Sequence, residues 1–145
     1  MPTAADLAFE EDLVATEATE DVAQWKIERG KSQEVFVTMR SIMDPDNRYQ
    51  ARLAWIRYAD DAPSLKFQNA ATGSLTDATA WPIVRGFRPT TFDACVNYSA
   101  EGFVLHPEWQ RDPKLRWRPD GNMVLKVLRI LQAELDEYYS GRYKA

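Results

Sequence analysis

Glu34-Val35-Phe36-Val37-Thr38-Met39 and Tyr49-Gln50-Ala51-Arg52-Leu53-Ala54-Trp55-Ile56 flank the turn Asp44-Pro45-Asp46-Asn47. The first run is rich in β-formers and reads as a strand. In the turn, Pro presets φ and the Asp and Asn side chains bond back to nearby amides. In the second run Tyr49, Ala51, Leu53, Trp55 and then Arg57 share one face, the period of a half-buried strand. Working outward, Val22-Ala23-Gln24-Trp25-Lys26-Ile27-Glu28 alternates in the same way and predicts a strand before the pair. Arg29-Gly30-Lys31-Ser32 supplies the turn between them. After Ala59-Asp60-Asp61-Ala62-Pro63, Ser64-Leu65-Lys66-Phe67-Gln68 predicts a fourth strand. Four short strands in sequence predict an antiparallel meander.

Helices lie on either side of it. Thr3 to about Thr19 reads as an acidic N-terminal helix capped by Thr3, with Leu7, Phe9, Leu13 and Val14 as a narrow apolar side. From Asn122 to Tyr139, Val124, Leu128, Leu131, Leu135 and Tyr138 form one stripe, widened by Val127 and Ile130. Lys126, Arg129, Gln132 and Glu137 are expected to face water. Such a stripe covers one face of a four-stranded sheet. The expected fold is α+β, in a single domain over residues 1–145.

The 145 residues are 45% apolar and 28% charged, as expected of a globular domain rather than a disordered chain. No apolar run approaches the ~20 residues of a membrane span. A basic segment followed by an apolar one, the mark of a secretory signal, is absent from the first residues, so a cytoplasmic location is expected. The single cysteine and single histidine provide neither a disulfide nor a zinc cluster, and no metal or cofactor is expected. Net charge is −4. The first 25 residues hold seven acids and no Lys or Arg, which predicts a solvated helix face or a docking surface for a basic partner. The remainder has no clustered basic stripe of the kind that binds nucleic acid.

Between Asn69 and Pro119 the periodicity lapses, broken by Gly73, Pro82, Gly86, Pro89, Gly102, Pro107, Pro113 and Pro119. A stretch this long without regular pattern is usually functional. It contains Cys95, and a lone thiol between a sheet and a helix reads as a carrier cysteine. The bland alternative is a small apolar space-filler.

The order of these parts resembles the ubiquitin-conjugating enzymes. Tyr58-Ala59-Asp60-Asp61-Ala62-Pro63-Ser64-Leu65-Lys66-Phe67 is similar to the family's Tyr-Pro-x-x-Pro-Pro-x-Val-x-Phe. Trp81-Pro82-Ile83 stands where the family has His-Pro-Asn, and Phe92-Asp93-Ala94-Cys95-Val96 where it has Gly-x-x-Cys-Leu. Arg116-Trp117-Arg118-Pro119 resembles its Trp-Ser-Pro, and Val127-Leu128-Arg129-Ile130-Leu131-Gln132 its Val-Leu-x-x-Ile-Gln. The resemblance spans roughly residues 34 to 139 through short motifs, so their order is more specific than any one of them. The chain is identified as similar to compact, divergent, bacterial-type members.

The resemblance implies a transferase. Cys95 would accept a ubiquitin-like protein as a thioester from an activating enzyme, then pass it to an amine on a target, with or without a ligase. It departs from the family at Ile83, which replaces the Asn that steadies the oxyanion. Asn97 or loop N–H groups are the candidate substitutes. His106 is the candidate general base, against a plain surface role. Asp93 and Glu101 are candidates for steering a lysine, and Trp81 for binding a partner. Core packing is the alternative for Trp81 and Trp117. Two other readings stay open: a catalytically silent adaptor for a ubiquitin-like protein or its activating enzyme, and an unrelated α+β interaction domain.

Overall fold

A computed structural model describes all 145 residues. In chain order it has α1 (Ala4–Glu17), β1 (Lys26–Arg29), β2 (Glu34–Met39), β3 (Tyr49–Ala54), β4 (Ser64–Gln68), β5 (Phe87–Arg88), β6 (Asp93–Ala94), α2 (Ala100–Leu105) and α3 (Met123–Tyr138). Strands β1 to β4 form one antiparallel sheet in sequence order, and β5 with β6 a separate short ladder. The architecture is α+β, with three helices around the meander.

Register explains the core. Val35 faces Leu53, which faces Leu65; Val37 faces Ala51, which faces Phe67; Met39 faces Tyr49. Alternate residues of a strand point to opposite faces, so all eight lie on one side of the sheet. None is more than 2% exposed. Fully burying a Val, Leu, Phe or Met side chain stabilises by roughly 1.5–3 kcal/mol, which makes this face the main source of stability. Helix α3 covers it with Met123, Val124, Val127, Leu128, Leu131 and Leu135.

Helix α3 is fastened at its start. Asn122 accepts from the Leu125 N–H, while its side-chain amide donates to Asp12 O and Thr16 Oγ1 in α1. The buried Tyr58 hydroxyl bonds to the Asp12 carboxylate and accepts from the Met123 and Val124 N–H groups. Gln132 corrects the expectation that it faces water, being only 7% exposed. Its Oε1 accepts from Trp25 Nε1 at 2.9 Å and its Nε2 donates to Arg40 O at 2.8 Å. A buried indole N–H needs an acceptor, and helical position alone does not reveal that demand. Tyr138, expected on the apolar stripe, is 39% exposed and lies beneath the Arg85 guanidinium.

Three further expectations change. Only the second half of the predicted first strand is extended, because Glu20–Gln24 forms a 3₁₀ turn that tucks Trp25 inside. In α1 the buried residues are Phe9, Leu13 and Thr16, at i, i+4 and i+7, leaving Leu7 and Val14 exposed. The acidic head is largely bound to its own chain. Glu10 and Glu17 grip Arg29, Asp21 pairs with Arg129, and Asp6 bonds Ser32 and Gln33.

Candidate active site around Cys95

Cys95 follows β6 directly, where two contacts fix its backbone. On one side its N–H donates to Gly86 O at 2.7 Å. Gly86 has φ +82°, and a Cβ there would lie 3.0 Å from Cys95 O, so glycine is needed for conformation and closeness alike. On the other side Ser99, fully buried, donates from Oγ to Ala94 O at 2.6 Å and accepts from Gly102 N at 2.9 Å. It thereby caps α2 and holds the cysteine turn with one hydroxyl. Gly102 rests on the main chain of Val96.

The same segment is tied to the sheet edge. Lys66 Nζ donates to Phe92 O, Ala100 N–H to Pro63 O, and the Glu101 carboxylate accepts from Ser64 Oγ and Leu65 N–H. A free strand edge invites pairing with other chains, and α2 covers this one. Glu101 therefore serves the fold, not an incoming lysine.

Cys95, half-buried, lines a cleft of about 310 Å³ together with Gly86, Asn97, Tyr98, Trp109, Leu115 and the Arg85–Glu134 pair. Arg85 forks onto Glu134 with two contacts of 3.1 Å, its guanidinium stacked on Tyr138 3.5 Å from the ring centre. The Asn97 and Tyr98 N–H groups donate to no protein acceptor. Cys95 and Asn97 thus share the cleft, with the Asn97 amide 3.4 Å from Leu115 O.

Asp93 sits across the short ladder from Arg88, bonded at 2.7 and 2.8 Å. The Arg88 hydrogen bonds hold its carboxyl below the usual carboxylate range, against the opposing effect of partial burial. His106 stands outside the cleft. It ends α2, stacks on Trp109 at 4.4 Å and holds Glu108 through Nδ1 at 3.0 Å. One ring separates it from the cleft it was expected to serve.

Trp81 requires a correction. Fully buried, it cannot offer a surface to a partner. It packs edge-on against Phe67 and Phe87 at 5.3 and 6.0 Å, joining β4 to the cysteine ladder. Trp117 is partly buried against the core and donates from Nε1 to Ala59 O. Ile83 is exposed, but its peptide is engaged: its N–H donates to Gly141 O at 2.7 Å and its carbonyl accepts from Ser140 N–H.

Sequence reasoning missed Arg85, Ser99, Gly102 and Glu134. The signal for Glu134 is its helical spacing from Ile130 and Tyr138, along the exposed edge of α3. Helix α2 had no legible signal, since six residues with a glycine third fall below any periodicity test.

No family model matches the chain, and comparison with curated proteins and with solved structures gave no match. No group of three or more His, Cys, Asp or Glu side chains is arranged to hold a metal ion. No helix is long and apolar enough to cross a membrane.

Proposed function

We propose that the chain has a ubiquitin-conjugating-enzyme-like fold and that Cys95 carries a ubiquitin-like protein between an activating enzyme and an amine. The observation that supports this most is the position of Cys95. Cys95, the only cysteine of the chain, is partly exposed and lines an open cleft, on a turn clamped from both sides by Gly86 and Ser99. Space-filling does not require such clamping.

In the first step the Cys95 thiolate attacks the thioester carbonyl on the activating enzyme. A new C–S bond forms, the old one breaks, and the electron pair leaves with the activating enzyme's thiolate. In the second, an unprotonated amine attacks the Cys95 thioester. The tetrahedral oxyanion collapses to an amide, Cys95 leaves as thiolate, and the amine's proton passes to water. Asn97 lines the same cleft as Cys95, and its N–H and side-chain amide are the proposed oxyanion donors in place of the Asn that Ile83 displaces. Arg85 and Glu134 frame the mouth.

Intact-mass measurement after incubation with an activating enzyme, ATP and its ubiquitin-like protein tests the reading. A thiol-labile adduct is expected on the wild type, a stable oxyester or nothing on Cys95→Ser. An adduct that persists on Cys95→Ala would refute it. One observation favours the silent-adaptor reading: the Ile83 peptide is bonded to the Ser140–Gly141 segment and cannot turn towards an oxyanion. Loading without any transfer to an amine would select that reading.

A further inference from the structure

A second cleft, of about 270 Å³, shares Asn97 and Tyr98 with the first and so continues from it. Trp117 and the 37%-exposed Ile130 give it an apolar surface, and Lys114, Arg116, Arg118 and Lys126 stand around it. All four cations are exposed and none is paired with a carboxylate. No acidic side chain lines this cleft. In a chain of net charge −4, four unpaired cations gathered around one cleft that no acid lines make it a local patch of positive charge. The Tyr98 N–H at the junction is an unused main-chain donor.

We infer that this second cleft holds the C-terminal segment of the protein that loads Cys95, and that the segment is acidic and aliphatic. Its terminal carbonyl meets Cys95, and the residues just before it cross Asn97 and Tyr98, where the Tyr98 N–H takes one of their carbonyls. The preceding carboxylates meet the cationic rim, and a Leu- or Ile-like side chain covers Trp117 and Ile130. The inference rests on the carrier reading and adds the class of donor. A tail rich in Lys or Arg would meet like charge on every side, which opposes binding.

Two fluorescein-labelled decapeptides ending in Gly-Gly test it, one with Asp and Leu before that end and the other with Lys and Leu. They are titrated by anisotropy against Cys95→Ala. The acidic peptide should bind at least ~tenfold more tightly at low salt, with the advantage shrinking as salt screens it. Arg116→Glu with Lys126→Glu should reverse the preference, whereas Lys26→Glu with Lys31→Glu, on the β1–β2 hairpin, should keep it. Equal affinities, or a preference that survives the Arg116/Lys126 reversal, would overturn the inference. So would a heparin fragment competing as well as the acidic peptide, since an unselective anion surface needs no apolar contact. The variant has no thiol, so the titration reads the cleft apart from the chemistry. A preference seen here with no thioester on the wild type refutes the carrier reading alone. Equal loading of the wild type from thioesters of both peptides refutes the tail assignment alone.

Discussion

Replacing Gly102 with Ala should destabilise the cysteine turn, although Gly→Ala inside a helix normally stabilises by about 0.5–1 kcal/mol. A Cβ on Gly102 would lie 2.0 Å from Val96 O and 2.9 Å from Val96 C and N. Ordinary contact starts at 3.4 Å, so α2 and the Val96 peptide would have to separate by about 1.4 Å. The obstacle is main chain with no rotamer to give way. Overpacking of this kind typically costs about 1–3 kcal/mol, which outweighs the helical gain. For a chain of this size that lowers the melting temperature by roughly 3–15 °C. The displacement would also pull on Ser99 and, through its bond to Ala94 O, on Cys95. Thermal unfolding by circular dichroism and the rate of Cys95 labelling by a maleimide, followed together, read both effects. A variant as stable as the wild type, labelling at the same rate, would refute the claim that α2 bears on the cysteine backbone.

Gln132→Ala should cost about 1–3 kcal/mol, because it strands the Trp25 indole N–H in the core; urea unfolding checks this, and an unchanged midpoint contradicts it. Asp93 has a folded-state pKa below its ordinary 3.8, so its pair with Arg88 contributes fully above that value and is lost as the pH falls through the folded-state value. Asp93→Asn should therefore lower stability at pH 7 and erase part of the loss seen as the pH falls below the ordinary 3.8; parallel acid titration curves would count against it. Asn97→Ala should slow amine transfer by up to ~10²-fold without lowering the melting temperature, as single-turnover discharge kinetics would reveal.

Strands β2 to β4 were legible because their alternation is unbroken and matched by a face that is wholly buried. Asp44-Pro45-Asp46-Asn47 and Ala59–Pro63 punctuate them with residues whose turn chemistry is local. Helix α3 was legible for the same reason at the other period. What escaped depends on contacts between distant residues. Nothing near Gln132 announces Trp25, and nothing in the acidic head announces that Arg29 will hold Glu10 and Glu17 and that Arg129 will hold Asp21. The cysteine turn was marked by its glycines and prolines, but the ligatures that shape it, Ser99 to Ala94 and Gly102 against Val96, are visible only once α2 is in place. Trp81 misled because an aromatic beside a reactive residue fits a platform and a core equally well by sequence.

The most direct test of the carrier role bypasses the activating enzyme. A peptide ending in Gly-Gly, supplied as a mercaptoethanesulfonate thioester, is incubated with the wild type; the product is desalted, free lysine is added, and mass spectrometry follows the adduct with time. The account predicts acylation on Cys95 alone, then loss of the adduct in step with the appearance of lysine-capped peptide. Failure of Cys95 to take the acyl group while the unfolded chain does so, or decay only to hydrolysed peptide whatever the lysine concentration, would contradict it.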